Sequence, residues 1–273
     1  MSVLEETKFI MNKYDVHPSK SFGQNFLIDE NALDLIASDV NKDDVIVEIG
    51  PGLGTLTAIL AEKAKKVYAV ELDKRMVAIL KERFMLYKNI EIINEDILKV
   101  DINSLDKNIK VVANLPYYIT TQIVTSLLDA KVGDITILIQ KEVADRICAK
   151  PGDKDAGAIT YLVNYYADCE FKGIVSKECF IPSPKVESAV VNIKRLDKPR
   201  VKVNDEKLFF EIIKANFSQR RKTIINSLSN LINKNDFVKI LEELNIPVNV
   251  RGENLTIEQF AAIANKVSEI KKK

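Results

Sequence analysis

Between Val45 and Ala64 the chain runs from an unbroken apolar stretch, Val45 to Ile49, straight into Gly50-Pro51-Gly52-Leu53-Gly54. It leaves that loop as helically spaced apolar residues from Thr55 onward. A short apolar run bounded by glycine reads as a buried strand, and a strand feeding a glycine loop and a helix is the nucleotide-binding arrangement of open α/β sheets. That choice constrains the rest of the chain, because such a sheet is mostly parallel, needs cover on both faces, and takes ligands at the carboxyl ends of its strands. The loop also narrows the ligand. A dinucleotide fingerprint starting at Gly50 would put glycine at position 55, where Thr55 stands, and Pro51 removes a backbone donor that a pyrophosphate would use. The loop suits a ligand with no phosphate.

Three more apolar runs follow, Val67 to Val70, Ile90 to Ile93 and Ile109 to Ala113, and each ends in chemistry. The first runs into Glu71-Leu72-Asp73, about twenty residues past the first glycine, where an acidic residue can hold both hydroxyls of a ribose. The second runs into Asn94-Glu95-Asp96-Ile97, and Asp96 can accept from the amino group of an adenine. The third ends in Asn114-Leu115-Pro116-Tyr117. The Asn114 side-chain carbonyl can accept from an amine, and the residue before a proline is held extended, so the Leu115 carbonyl is not committed to a helix. Tyr117 adds a stacking face. Two acceptors beside an aromatic ring make a site for a flat base that carries an exocyclic amine. Each feature alone is equally a turn or a helix cap, but four of them on one sheet edge read as a site.

Elsewhere, Ser19 to Asp29 is a polar loop leading into helix-like Asn31 to Asp39, with Asp29 placed as a cap. Thr120 to Leu128 and Lys141 to Cys148 have helical spacing, and Ile135 to Ile139, Phe171 to Val175 and Ala189 to Ile193 read as further strands. Between the last two, Pro182 and Pro184 stiffen an extended loop that begins at Phe180. Phe180 either faces Tyr117 across a bound base or anchors that loop in the core. Past Lys194 the character changes, since residues 194 to 222 carry ten Lys and Arg against four Asp and Glu. Arg220, Arg221 and Lys222 break an amphipathic pattern there, either as phosphate contacts or as a solvated helix end whose cations complement the helix dipole. Phe237 to Leu244 and Ile257 to Val267 supply two more helices, the latter opened by a Thr256/Gln259 capping box. The expected division is 1–196 for the α/β domain and 197–273 for a small helical one.

Composition excludes several classes. The 40 basic and 39 acidic residues point to no partner by net charge, so a basic face must be local. No run approaches 18 apolar residues and Met1 to Lys13 is charged, so a soluble, cytoplasmic protein with no membrane contact is expected. The 3 cysteines lack CxxC spacing and His17 is the single histidine, which argues against a metal site, a disulfide framework and a Ser/His/Asp triad.

Five segments carry a resemblance, in order along residues 20 to 260: Gly23-Gln24-Asn25-Phe26-Leu27, Glu48 to Thr57, Asn114-Leu115-Pro116-Tyr117, Pro182 to Val190, and Phe217 to Thr223. Together they resemble the ribosomal RNA adenine dimethyltransferases of the KsgA/RsmA type. The resemblance implies a class I methyltransferase: an α/β, Rossmann-like, mostly parallel seven-stranded sheet with a small C-terminal all-helical domain. It implies S-adenosylmethionine as methyl donor, and N6 of two adjacent adenines in the 3'-terminal hairpin of small-subunit (16S) ribosomal RNA as acceptor. The partner would be that RNA in an immature 30S particle, met by a monomer with no metal. By the same resemblance, Asn25, Leu27, Gly50, Glu71, Asp96 and Asn114 line the cofactor, Asn114 serving both ligands; the reading of the residues above adds Leu115, Tyr117 and, in its clamp alternative, Phe180 as the groups that hold the target base. Ala156 before Gly157 departs from the aromatic residue often found there in the family, which bears on RNA contacts by that loop and not on the chemistry. The alternatives are a large-subunit adenine methylase of the macrolide-resistance type, a ribosome-assembly factor acting by binding, and an NAD dehydrogenase, which Pro51 and Thr55 disfavour.

Overall fold

Each apolar run becomes a strand, and the strand ends fall on one edge as a parallel sheet requires. The structure is a computed structural model that describes residues 1–19, 22–219 and 221–271. The strands are β1 (Phe26–Leu27), β2 (Val45–Ile49), β3 (Lys66–Glu71), β4 (Ile90–Asn94), β5 (Ile109–Asn114), β6 (Ile135–Gln140), β7 (Ala167–Val175), β8 (Phe180–Ile181) and β9 (Ser188–Arg195). Seven form one sheet in the order β4-β3-β2-β5-β6-β9-β7, while β1 and β8 pair separately. The pairs β2/β3, β3/β4, β2/β5 and β5/β6 are parallel, and β9 runs antiparallel to β6. Position in the sheet explains the composition of each strand: every residue of central β2 is buried, whereas edge strand β4 is half-exposed and admits Glu91 and Asn94. The order reverses at β2, whose neighbours are β3 and β5, and that switch point opens a crevice at the strand ends.

The first of two compact units takes in residues 1–144 and 170–195. One hydrophobic core joins Leu33, Ile36, Ile46, Leu60, Val67, Leu138 and Val190, and a second cluster joins Ile10, Phe26, Leu53, Met76 and Ile79. The helix Glu30–Ile36 starts at Asp29, whose side chain accepts from the Ala32 amide at 2.8 Å, as the cap placement anticipates. The charged N-terminus forms a helix, Val3–Lys13, opened by a Ser2/Glu5 capping box that the sequence reading did not assign.

The second unit holds residues 145–169 together with 196 onward. Its C-terminal helices are Glu206–Ser218, Ile224–Ser227, Lys234–Glu243 and Ile257–Lys271, the last with reciprocal Thr256/Gln259 bonds at 2.9 and 3.3 Å. The earlier segment joins them through aromatic packing. Helix Ala158–Tyr166 sets Tyr165 5.2 Å from the rings of both Phe209 and Phe210, and Tyr161 5.1 Å from Phe260. The Tyr165 and Tyr166 hydroxyls donate to Glu206 at 3.0 and 2.5 Å. A contiguous cut at 196 therefore leaves out a segment that this packing claims. Cys148 and Cys169 are joined in a disulfide with a Cα separation of 5.1 Å, against the expectation of none; the fold brings together two residues 21 apart that no local spacing links. Among the described residues no helix is long and apolar enough to cross a membrane.

Candidate functional site

The glycine loop is shaped by backbone that only glycine adopts without strain. Gly50, Gly52 and Gly54 have φ of 66°, 57° and 83°. Gly54 also admits a close approach: a Cβ there would stand 2.6 Å from the Phe84 ring and 2.8 Å from Leu80, which belong to the neighbouring helix Lys74–Arg83 and its end. The Gly50 amide donates to the Val70 carbonyl at 2.9 Å, and the Arg83 guanidinium donates to the Leu53 carbonyl while pairing with Glu6 at 2.5 Å.

At the end of β3, Glu71 is 7 % exposed and accepts two amides, from Gly52 at 3.1 Å and from Asp73 at 2.8 Å. Burial pushes its carboxyl up from the usual range, opposed by those amide bonds. Asp73 caps the next helix and pairs with Arg75 at 2.7 Å, and Gln24 Nε2 donates to it at 3.2 Å, which ties the 22–27 loop to this strand end. Asp96 caps a short 3-10 turn through the Leu98 amide at 3.0 Å, so it is a cap and a cleft residue at once. Glu48, one residue from the loop, is 1 % exposed and its Oε2 has no hydrogen-bond partner among the described residues. Burial pushes its carboxyl up to about 8, with the nearby Glu71 charge adding to the effect.

Across the switch point, β5 ends in Asn114-Leu115-Pro116-Tyr117. The Asn114 Nδ2 donates to the Asn25 carbonyl at 3.3 Å, and no group among the described residues donates to its Oδ1. No described group donates to the Leu115 carbonyl. Tyr117 is half-buried, and its hydroxyl lies 2.6 Å from the Ser188 Oγ, a fully buried group at the start of β9. Burial raises the Tyr117 phenol, so it stays neutral and holds that bond throughout the physiological range.

One cleft is lined by Asn25, Leu27, Gly50, Glu71, Asp96, Asn114, Leu115 and Tyr117 together. Phe180 is not among them. Its loop does return to this edge, but β8 pairs antiparallel with β1 in a register that sets Phe180 opposite Leu27, and the ring joins the core cluster of Leu33, Ile36 and Ile46 at 3 % exposure. The core-anchor reading describes it and the clamp reading does not. Arg221 and Lys222 are exposed just past the helix Glu206–Ser218, and Arg220 lies outside the described residues. Sequence reasoning missed Gln24, Glu48 and Ser188. Glu48 carried a readable signal, an acid inside an otherwise apolar strand, whereas Ser188 carried none.

This sheet order, with β9 antiparallel to β6 and the crevice beside the glycine loop, is that of a class I methyltransferase. A family model described as ribosomal RNA adenine dimethylase matches residues 17–269. The ribosomal RNA small subunit methyltransferase A of Clostridium acetobutylicum is 47% identical over 269 residues, covering 96% of this chain and 98% of that protein. The protein of the same name from Clostridioides difficile is 46% identical, covering 96% and 95%. Among solved structures, a dimethyladenosine transferase from Plasmodium falciparum matches with a TM-score of 0.76 at 25% identity, over 90% of this chain and 98% of that one. The 23S rRNA methyltransferase ErmE matches with a TM-score of 0.70 at 25% identity, over 89% and 100%. The chain belongs to the ribosomal RNA adenine dimethylase family.

Proposed function

We propose that the protein transfers methyl groups from S-adenosylmethionine to N6 of two adjacent adenines in the 3'-terminal hairpin of 16S ribosomal RNA, acting as a cytoplasmic monomer on an immature 30S particle. The observation that carries this reading is the convergence, in one cleft, of Asn114, Leu115 and Tyr117 with the glycine loop and Glu71. The cleft suits the donor. Glu71 would accept from the ribose hydroxyls and Asp96 from the adenine amine, with Asn25, Leu27 and Gly50 lining the rest. When bound, S-adenosylmethionine supplies an electrophilic methyl group on a cationic sulfur.

The residues of the chain then do the rest. Adenine's exocyclic nitrogen is a poor nucleophile because its lone pair is delocalised into the ring. The Asn114 Oδ1 and the Leu115 carbonyl would accept from that amine and fix its direction, while Tyr117, held by Ser188, stacks on a base taken out of its helix. The two carbonyl dipoles stabilise positive charge as it develops on nitrogen, and the proton leaves afterwards, so no carboxylate base is needed. Arg221 and Lys222, with Arg220, would contact phosphates of the RNA. Replacing Arg221 and Lys222 by Ala should lower the log-log salt slope of RNA binding by up to roughly 2 units, with cofactor affinity intact. An unchanged slope would make them a solvated helix end.

The deciding assay gives the purified protein labelled S-adenosylmethionine with separately prepared, undermodified small-subunit and large-subunit particles, and maps the modified base. Two dimethylated adenines in the small-subunit hairpin are expected. Label only in large-subunit RNA would transfer the reading to the macrolide-resistance type, and binding without label would leave an assembly factor.

A further inference from the structure

The residue after the base platform has a different environment from its neighbour. Tyr117 is half-buried and tied to Ser188, whereas Tyr118, in the same 3-10 turn, is 60 % exposed and its hydroxyl makes no hydrogen bond among the described residues. Tyr118 is nonetheless part of the cleft wall. One side of its ring lies against bare backbone at Gly23, where a Cβ would stand 3.2 Å from Cδ1 and 3.4 Å from Cε1. Gly23 has a φ of 61°, so the 22–27 loop bends there in a way that suits glycine and leaves the ring its seat. A large aromatic ring that is backed on one side, unanchored at its hydroxyl and open to water at the mouth of a cleft is not serving the core.

We propose that Tyr118 is a second stacking platform, which holds the nucleobase adjacent to the one lying on Tyr117. The inference rests on the reading that the substrate is RNA whose target adenine leaves its stack. Extruding one base strips its neighbour of a stacking partner, and that unstacking is a main cost of bringing a base into a protein pocket. An aromatic side chain recovers it, because every base presents a π-face whatever its sequence. The neighbour must lie at the cleft mouth, since it is one nucleotide from the bound base, and that is where Tyr118 stands. When the two target bases are themselves adjacent, the base on Tyr118 is the other substrate. The second platform would then keep the RNA engaged between the two modifications.

Three substitutions in the full chain test this, with undermodified small-subunit particles and labelled S-adenosylmethionine. Tyr118→Ala should raise KM for the particle about tenfold, more than it lowers kcat, as expected for one lost stacking contact. It should also increase the share of RNA with only one of the two adenines modified, while the Kd for S-adenosylmethionine holds. Tyr118→Phe should restore the wild-type KM, because the ring and not the hydroxyl is in use. Tyr118→Trp introduces the only tryptophan in the chain, and its emission should be quenched on adding the particle. An unchanged KM in Tyr118→Ala, a Tyr118→Phe defect equal to that of Tyr118→Ala, or unquenched Tyr118→Trp emission would each overturn the platform. If the wild-type protein methylates no adenine in the small-subunit particle, the functional reading itself falls and the platform with it. If it does and the variants match it, only the platform falls.

Discussion

At the scale of single residues the cleft divides its labour between groups that make contact and groups that hold them. On the proposed reading Asn114 makes contact: its Nδ2 is fixed on the Asn25 carbonyl at 3.3 Å, and its Oδ1 has no donor among the described residues. Asn114→Ala should leave the thermal transition nearly unchanged and abolish both mono- and dimethyladenosine, since losing one preplaced dipole typically costs on the order of a hundredfold or more in rate. Near-native dimethylation by the folded, cofactor-bound variant would remove Asn114 from the chemistry. Ser188 holds. Its bond to Tyr117 is part-buried, so removing either hydroxyl should cost about 1 kcal/mol in ring placement. Ser188→Ala and Tyr117→Phe should each lower kcat/KM by several-fold, and the double variant should be little worse than either alone. Additive losses in that cycle would show that the two hydroxyls act separately.

At the scale of elements, the glycine loop works because a helix is pressed against it. Gly54→Ala would put a Cβ 2.6 Å from the Phe84 ring in a left-handed backbone region, and should destabilise the protein by at least about 1–3 kcal/mol. A melting temperature equal to wild type would show that the helix Lys74–Arg83 can retreat at no cost. This is also the scale at which the sequence was most legible. Buried parallel strands are near-continuous apolar runs, so β2, β3 and β5 could be read directly, the half-exposed edge strand β4 kept three isoleucines, and parallelism alone then aligned Gly50, Glu71, Asp96 and Asn114 on one edge. What could not be read was anything set by register between distant segments. With β1 and β8 only two residues long, no alternation reveals which way Phe180 turns, and a shift of one residue would reverse it. Ser188 and Tyr117 are 71 positions apart, and the Cys148–Cys169 bridge likewise depends on where α and β segments end up. The helix Ala158–Tyr166 was not read from the sequence, and nothing local in the 145–169 segment says which unit it joins; only its aromatic partners decide.

For the molecule as a whole, the buried Glu48 makes stability depend on pH. Its folded carboxyl stays protonated up to about 8, while the unfolded chain ionises it from about 4.5, so between these values the unfolded state binds fewer protons. Stability therefore falls as pH rises through that window and levels off above it. Glu71, also pushed up by burial, acts in the same direction. Glu48→Gln should flatten the decline in melting temperature from pH 5 to pH 8, and an unaltered slope would mean that Glu48 is ionised in the folded protein.

The cleft's lining runs from Phe22 to Ile123, all in the first half of the chain, but two of its supports come late: Phe180 opposite Leu27, and Ser188 behind Tyr117. During synthesis the glycine loop and the acceptor strand emerge well before the residues that brace them. The donor side, at Leu27, and the acceptor side, at Tyr117, therefore both gain their braces only once the second half of the chain has been made.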